Sequence, residues 1–112
     1  RITAGAMVIA TNSPINDRVT IHTKQAPYRT YVVGLRIPDQ SVHRGLFWDT
    51  GMPYHYVRLA ADERGEILIV GGEDHKTGQA DDTEERFERL VAWTRARFPM
   101  AGELACSWSG QV

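Results

Sequence analysis

The stretch that decides the fold reads YHYVRLAADERGEILIVGG over residues 54–72. Its first part, residues 54–60, alternates in character and is typical of a strand with two different faces. Its last part, residues 66–72, is typical of a well-buried strand, and residues 62–65 between them are typical of a hairpin loop. The stretch therefore predicts two antiparallel strands joined by a short turn.

Further strands are predicted on both sides of this hairpin. Residues 27–37 are rich in Tyr, Thr and Val, and residues 46–49 form a short apolar run that ends at a Thr-Gly-Met-Pro turn. Residues 103–108 predict a final strand. Residues 6–11 form a continuous apolar run, which suits a strand buried on both faces.

One long helix is predicted over residues 82–98. Asp82 and Glu85 have the spacing of a capping box, and Pro99 and Gly102 follow the helix as termination signals. One apolar stripe is expected to face the core: Phe87, Leu90, Val91, Thr94 and Phe98. The predicted class is α+β, a single domain over residues 1–112 in which the strands 27–37, 46–49, 54–60 and 66–72 form an antiparallel β-meander and the C-terminal helix packs on one face.

Composition excludes several classes of partner. The 112 residues suit one domain, and 42% apolar with 24% charged residues is ordinary for a globular chain. The chain has 13 basic and 14 acidic residues and a net charge of -1, and no basic stripe stands out, so no nucleic-acid partner is expected. The longest apolar runs, such as residues 67–70, are too short to span a bilayer, so no membrane partner is expected.

The cysteine and the tryptophans give predictions about burial and about the cellular compartment. Cys106 is the one cysteine of the chain, which excludes an internal disulfide, favours a reducing compartment and predicts a cytoplasmic location. Its side chain is expected to be a small buried hydrophobe. Core packing is expected to explain most of the three tryptophans, Trp48, Trp93 and Trp108. Trp108 precedes Ser-Gly, which also suits a place where backbone and ligand approach closely.

The sequence contains none of the common catalytic, phosphate-binding or metal-binding motifs. There is no GxGxxG phosphate loop, no Cys/His pair with zinc spacing and no GxSxG nucleophile elbow. Glu73, Asp74 and His75 are a dense polar cluster, but consecutive side chains rarely converge on one ion. A solvated loop that leads to the helix is the favoured interpretation of this cluster, and no metal site is expected.

The 54–60 strand carries the candidate site residues. Alternation puts Tyr54, Tyr56 and Arg58 on one face, where two phenols and a guanidinium could hold an anion or a planar ring. A half-exposed sheet face without a ligand is the commoner explanation. His55 could act as an acid or base, but a packed or surface histidine is favoured. No catalytic residue is assigned.

Four blocks, in this order, resemble one family. They are AMVIATN at residues 6–12, PYHYVR at residues 53–58, ILIVGGE at residues 67–73 and WSG at residues 108–110. Together they resemble the D-amino-acid oxidase superfamily, and specifically its DadA-like FAD-dependent oxidoreductases, some of which carry a C-terminal Rieske iron–sulfur domain. The resemblance covers nearly the whole chain. It departs from the family where a Leu-Arg-Pro often follows Trp-Ala-Gly, because this chain reads Gln111-Val112 there. The arginine that binds the substrate carboxylate in the family is therefore not visible at this position, which leaves an amino-acid substrate in doubt.

The resemblance implies that the chain is the substrate-domain fragment of a larger flavin enzyme that oxidises an amine or amino-acid C–N bond. FAD would belong to the full-length parent, and the fragment alone is expected to hold none. The implied partners are the remainder of the flavin domain, a small-molecule amine or amino acid and, through exposed strand edges, further copies of the chain. Tyr54, Tyr56 and Arg58 would bind the substrate. The alternative is a non-enzymatic α+β binding or dimerisation module.

Overall fold

The computed structural model describes residues 1–8, 27–78 and 82–112. Their elements, in chain order, are β1 (Tyr28–Arg36), β2 (Leu46–Trp48), β3 (His55–Asp62), β4 (Gly65–Lys76), α1 (Thr83–Arg97) and β5 (Leu104–Gln111). This confirms the α+β class with one C-terminal helix. The described helix is not long and apolar enough to cross a membrane.

The described strands form one five-stranded sheet in the order β2-β3-β4-β1-β5. β2, β3 and β4 follow one another as a meander, and the pairing of Asp62 with Gly65 confirms the predicted hairpin. β1 does not lie beside β2, because it pairs with β4 on one side and β5 on the other. β4 and β5 are both antiparallel to β1 and therefore run in the same direction, and α1 makes the crossover that such an arrangement needs.

Each strand of the sheet divides its side chains between two faces. The face against α1 carries the main core, which consists of Tyr31, Val33, Leu35, Ile37, Val57, Leu68, Val70, Leu90 and Ala101. Alternate residues of the same strands form a smaller cluster on the other side: Val32, Ile67 and Ile69. We call this second side the open face, since no described helix packs on it.

The helix packs against the core through its apolar stripe as predicted, but the Asp82 side chain does not cap its N-terminus. Leu90 and Thr94 are buried, and Phe98 donates its backbone N–H to the Thr94 carbonyl at 2.8 Å, which closes the helix. The predicted capping box is wrong, since Asp82 makes no side-chain hydrogen bond to the helix terminus. Its carboxylate instead accepts from Arg86 Nε at 2.8 Å and Arg89 Nη2 at 3.4 Å. Arg86 and Arg89, in the first two turns of the helix, therefore hold the carboxylate that was expected to cap it.

Two predicted segments differ from the structure. Residues 73–76 were expected in a solvated loop but belong to β4, because β1 continues to pair with them through Tyr28 and Arg29. The predicted strand over residues 6–11 is not seen in its described part, where Met7 and Val8 are exposed and lie in no strand. Residues 9–11 lie outside the described residues. A strand buried on both faces needs neighbours on both sides, and the described sheet supplies none for residues 6–8.

Burial at the outer strands is also lower than the sequence predicts. Cys106 is exposed, because β5 has β1 as its one neighbour among the described strands. Trp48 on β2 and Trp108 on β5 are 70% and 43% exposed, so core packing does not explain them. Trp93 on α1 does pack against the core. Apolar side chains on both outer strands are therefore available for contact.

Candidate functional site

A straight row of side chains crosses the open face from edge to edge. Cross-strand partners lie on the same face of a sheet, and the register aligns Trp48, Tyr56, Gly71, Val32 and Trp108 in that order. An exposed indole therefore stands at each end of the row, and the residue in the middle has no side chain. The centre of the open face is consequently a shallow floor between aromatic groups.

Tyr56 lies across the middle of this floor. A Cβ built on Gly71 would overlap the Tyr56 phenol, so the ring occupies the space that a side chain at position 71 would need. The Tyr56 hydroxyl is 3.4 Å from Thr30 Oγ1 on β1. The hydroxyl is thus placed over the central strands of the sheet.

Tyr54 continues the aromatic surface beyond the end of β3. Its ring centroid is 6.4 Å from that of Tyr56, with a tilt of 37°. Burial raises the pKa of the Tyr54 phenol above its usual range, and the neighbouring Asp74 carboxylate raises it further. Tyr54 therefore remains a neutral hydrogen-bonding group at physiological pH.

Arg58 lies on the same face one step further along β3. Its cross-strand neighbours are Leu46 and Ile69, both apolar. The side chain is exposed and forms no ion pair with any residue that the structure describes. The three residues predicted from the sequence are thus brought to one face, with the guanidinium free to meet an anion.

A bulge in β4 decides which acidic side chain reaches this face. Arg29 pairs with His75 and Tyr31 pairs with Gly72, so one residue of β1 opposes two of β4. Glu73 adopts a φ of 56°, the left-handed conformation that such an extra residue can require. The bulge shifts the alternation by one position for the rest of the strand.

The three polar side chains after the bulge consequently diverge. Glu73 turns toward α1 and accepts from Arg89 Nε at 2.8 Å. Asp74 lies beside Tyr54, and the ring of His75 stacks on Tyr31 with centroids 5.6 Å apart. No group of ligating side chains suited to a metal ion occurs among the described residues.

Glu73 is a structural anchor beneath the helix. It is 8% exposed, and Arg86 approaches it from the same helix as Arg89, donating to its backbone carbonyl at 2.7 Å. Buried carboxylates are retained where they are paired and hydrogen-bonded. Glu73 therefore ties the end of β4 to the first turns of α1 and is unavailable to a ligand.

His55 is packed, as the sequence favours. It is 7% exposed, its Nδ1 lies 3.1 Å from Asp49 Oδ2, and its ring stacks on Trp93 with centroids 4.2 Å apart. The backbone N–H of His55 also binds Asp49 at 2.8 Å, and these contacts lower the pKa of the Asp49 carboxyl. Since His55 points toward α1, it lies on the side opposite to Tyr54 and Tyr56.

Sequence reasoning missed three contributors to the open face: Thr30, Gly71 and Asp74. Alternation along β1 already places Thr30 with Val32, but the pairing of β1 with β4 was needed to bring it to Tyr56. Gly71 carried a signal as one of two glycines at the end of an apolar strand. Asp74 could not be assigned a face, because an unrecognised bulge reverses the alternation just before it.

Comparison with known protein families identifies the family of this chain. The model of the DAO family, described as FAD dependent oxidoreductase, matches residues 1–112, which is the whole chain. Comparison with curated proteins and with solved structures gave no significant match. Because the family match spans every block that carries the resemblance, including the strand of Tyr54, Tyr56 and Arg58, the chain belongs to the family of FAD-dependent oxidoreductases.

Proposed function

We propose that this chain is the substrate-binding portion of a larger FAD-dependent oxidoreductase that oxidises a C–N bond of an amine or amino acid. The observation that carries the proposal is the open face, where Tyr54, Tyr56 and Arg58 project from one strand. In the family to which the chain belongs, the flavin accepts a hydride, and the protein supplies orientation and exclusion of water. A polar aromatic face beside an apolar sheet suits these two tasks.

The charges of the open face support a small polar substrate. Arg58 has no anionic partner among the described residues, and a guanidinium can bind a carboxylate through two parallel hydrogen bonds. Tyr54 and Tyr56 offer hydroxyls as well as ring faces, which can orient a substrate without carrying charge. An amino acid would use both kinds of group, and a simple amine would use the tyrosines.

The cofactor would be held mainly by the rest of the protein. FAD needs a glycine-rich loop at the start of a helix for its diphosphate, and the sequence contains no GxGxxG. The residues of this chain therefore do not provide a binding site for the FAD diphosphate. They are suited to line one side of the substrate cavity, since Trp48 and Trp108 expose apolar surface at both edges of the open face.

The covering of this face by the flavin-binding remainder of the protein is part of the same proposal. Large exposed apolar groups on one face mark a surface that is buried in an assembly. Closure of the remainder over the row from Trp48 to Trp108 would exclude water from the Tyr54–Tyr56 surface. We further propose the DadA-like branch of the family, on the order of the four sequence blocks. Downstream coding sequence with two Cys-His pairs would support the linked Rieske domain.

The test compares the full-length protein with the 112-residue chain. The full-length protein should purify with the visible absorbance of bound flavin, and anaerobic addition of a panel of D-amino acids and primary amines should bleach it. The 112-residue chain should carry no flavin. Full-length protein without flavin, or flavin that no amine reduces, would overturn the proposed activity, and stoichiometric flavin on the short chain would show that the cofactor site is misplaced.

A further inference from the structure

The loop that carries Tyr54 is closed by one carboxylate. Asp49 donates its backbone N–H to the His55 carbonyl at 3.0 Å, and Asp49 Oδ1 accepts the backbone N–H of His55 at 2.8 Å. Gly51 donates its backbone N–H to the same oxygen at 3.3 Å, and Asp49 Oδ2 lies 3.1 Å from His55 Nδ1. The segment 50–54 is therefore held at both ends by a single pair of residues, Asp49 and His55.

The peptide that joins Tyr54 to His55 also lies close to the backbone of β4. Gly72 is the cross-strand partner of His55 and has a φ of 150°. A Cβ built on Gly72 would stand 2.5 Å from the Tyr54 carbonyl oxygen and 3.3 Å from His55 Cα. Glycine permits two backbones to approach this closely because it has no side chain. Any other residue at position 72 would push the Tyr54 backbone away from β4.

On the helix side of the sheet, the same loop is anchored through His55. The buried His55 ring stacks on Trp93 of α1 with centroids 4.2 Å apart, and the Arg97 guanidinium lies 4.2 Å from the centroid of the same indole. Consecutive residues of an extended segment point to opposite faces of a sheet. Contacts that fix the backbone at His55 therefore also fix the direction in which Tyr54 leaves the sheet.

The Tyr54 side chain is not fixed by burial. Tyr54 is 41% exposed, and its ring centroid is 6.4 Å from that of Tyr56. Exposed side chains change rotamer on a fast timescale, so the region that such a ring can reach is set by the position of its backbone. The backbone contacts made by Asp49 and Gly72 therefore decide where the phenol stands over the open face.

We infer that Asp49 and Gly72 are positioning residues for Tyr54, which act through the backbone of residues 54 and 55 and not by contact with the substrate. The catalytic consequence rests on the proposed function, in which Tyr54 binds the substrate, whereas the placement of the phenol does not. No bond is made or broken by either residue.

Fluorine NMR of the full-length protein labelled with 3-fluorotyrosine tests the placement of Tyr54. The Tyr54 resonance is the one that disappears in Tyr54→Phe. Asp49→Ala removes the three hydrogen-bond contacts of the carboxylate, and Gly72→Ala adds the Cβ that meets the Tyr54 carbonyl. Asp49→Asn is the conservative variant, since its amide oxygen can still accept the His55 N–H.

Two control variants make similar changes without touching the loop of Tyr54. Asp39→Ala removes a carboxylate that accepts the backbone N–H of Glu66 at 3.1 Å, near the start of β4. Gly78→Ala places a side chain at a φ of 84°, where the added Cβ meets nothing within 4 Å, so it brings backbone strain without a contact. Circular dichroism and the melting temperature establish that each variant is folded.

Asp49→Ala and Gly72→Ala should each shift, broaden or split the Tyr54 resonance. Asp49→Asn and both controls should leave it close to its wild-type position. If one of the two test variants fails to fold, the other decides. An unchanged Tyr54 resonance in every folded test variant would overturn the inference.

Kinetics of the full-length enzyme with an amine that reduces its flavin separate positioning from a general structural role. Asp49→Ala should lower kcat/KM at least about tenfold, because a misplaced contact group no longer orients the substrate. In a Tyr54→Ala background the loss should be much smaller, since the group that Asp49 positions is already absent. An equal loss in both backgrounds would overturn the positioning role.

The two measurements also separate this inference from the proposed function. The NMR experiment needs no activity, so a displaced Tyr54 resonance in a protein that oxidises no amine would retain the placement of Tyr54 and refute the proposed activity. An amine oxidase in which Asp49→Ala and Gly72→Ala leave the Tyr54 resonance unchanged would retain the activity and refute the inference.

Discussion

The ring of Tyr56 on β3 lies directly over Gly71 on β4, in the space that a Cβ at position 71 would fill. The two residues are cross-strand partners, so the absence of a side chain on one strand sets the position of a phenol on the next. The Tyr56 hydroxyl consequently reaches Thr30 on β1, across the width of β4. A change at a glycine that touches no substrate should therefore alter the open face.

Gly71→Ala should destabilise the fold by about 1–3 kcal/mol, since the added methyl group forces Tyr56 from its position. Urea unfolding measures this change. Gly110→Ala is the matched control, because a Cβ at Gly110 meets nothing within 4 Å. The cost of Gly71→Ala should shrink in a Tyr56→Ala background, and an equal cost in both backgrounds would rule out the Tyr56 contact as its cause.

Arg58→Ala in the full-length enzyme should lower kcat/KM for an anionic substrate by about 1–3 kcal/mol of transition-state binding. Flavin content and folding should not change, because Arg58 is exposed and forms no ion pair among the described residues. Arg64→Ala is the control, since Arg64 lies in the β3–β4 turn and its pair with Glu103 is exposed. If Arg58→Ala and Tyr54→Phe both leave the kinetics unchanged, this strand does not carry the substrate site.

Glu73→Gln should cost about 1–3 kcal/mol of unfolding free energy, because the Arg86 and Arg89 guanidiniums lose a buried anionic partner. The Glu73 side chain is 11% exposed, and Arg86 is 13% exposed. Glu85→Gln is the control on the same helix, as Glu85 is 73% exposed and meets Arg89 at 3.7 Å, so its effect should be close to zero. Similar melting temperatures for the two variants would contradict the anchoring role of Glu73.

The Arg36–Asp62 pair should make stability depend on pH in the acid range. Both guanidinium Nη atoms donate to the carboxylate at 2.6 Å, and Arg36 lowers the pKa of Asp62 from 3.8 to about 2. As the pH falls, the Asp62 carboxyl takes up its proton at a higher pH in the unfolded chain than in the folded chain. The contribution of the pair to the free energy of unfolding is therefore fully present above pH 3.8 and is lost as the pH falls toward 2. In Asp62→Asn the melting temperature should fall less steeply over that range, whereas Glu63→Gln should follow the wild type.

The sequence predicts the fold to the extent that local pattern determines it. Alternation, turn residues and the helix stripe locate β1 to β5 and α1 with end shifts of a few residues, and they place Tyr54, Tyr56 and Arg58 on one face. The order of the strands in the sheet could not be predicted, since no local sequence pattern indicates that β1 lies between β4 and β5. The exposure of Cys106 and Trp108 follows from that order, because β5 is an outer strand.

The site was predictable only up to the bulge. Strict alternation from Ile67 would put Glu73 on the open face and Asp74 against the helix, the opposite of what the pairing with β1 shows. A bulge depends on the conformation of one residue and on the partner strand together, so it leaves no periodic signal. The same limit explains why residues 73–76 were interpreted as a loop.

The extra residue at Glu73 is an insertion that the sheet absorbs locally. Deleting it would restore regular pairing with β1, and Asp74 and His75 would keep their present faces, because His75 already pairs with Arg29 beyond the bulge. The deletion would remove the carboxylate that accepts from Arg89, so it should loosen the contact between β4 and α1 and leave the open face unchanged. An alignment of this family should therefore place a missing residue at position 73, where the faces of all later residues of the strand are preserved.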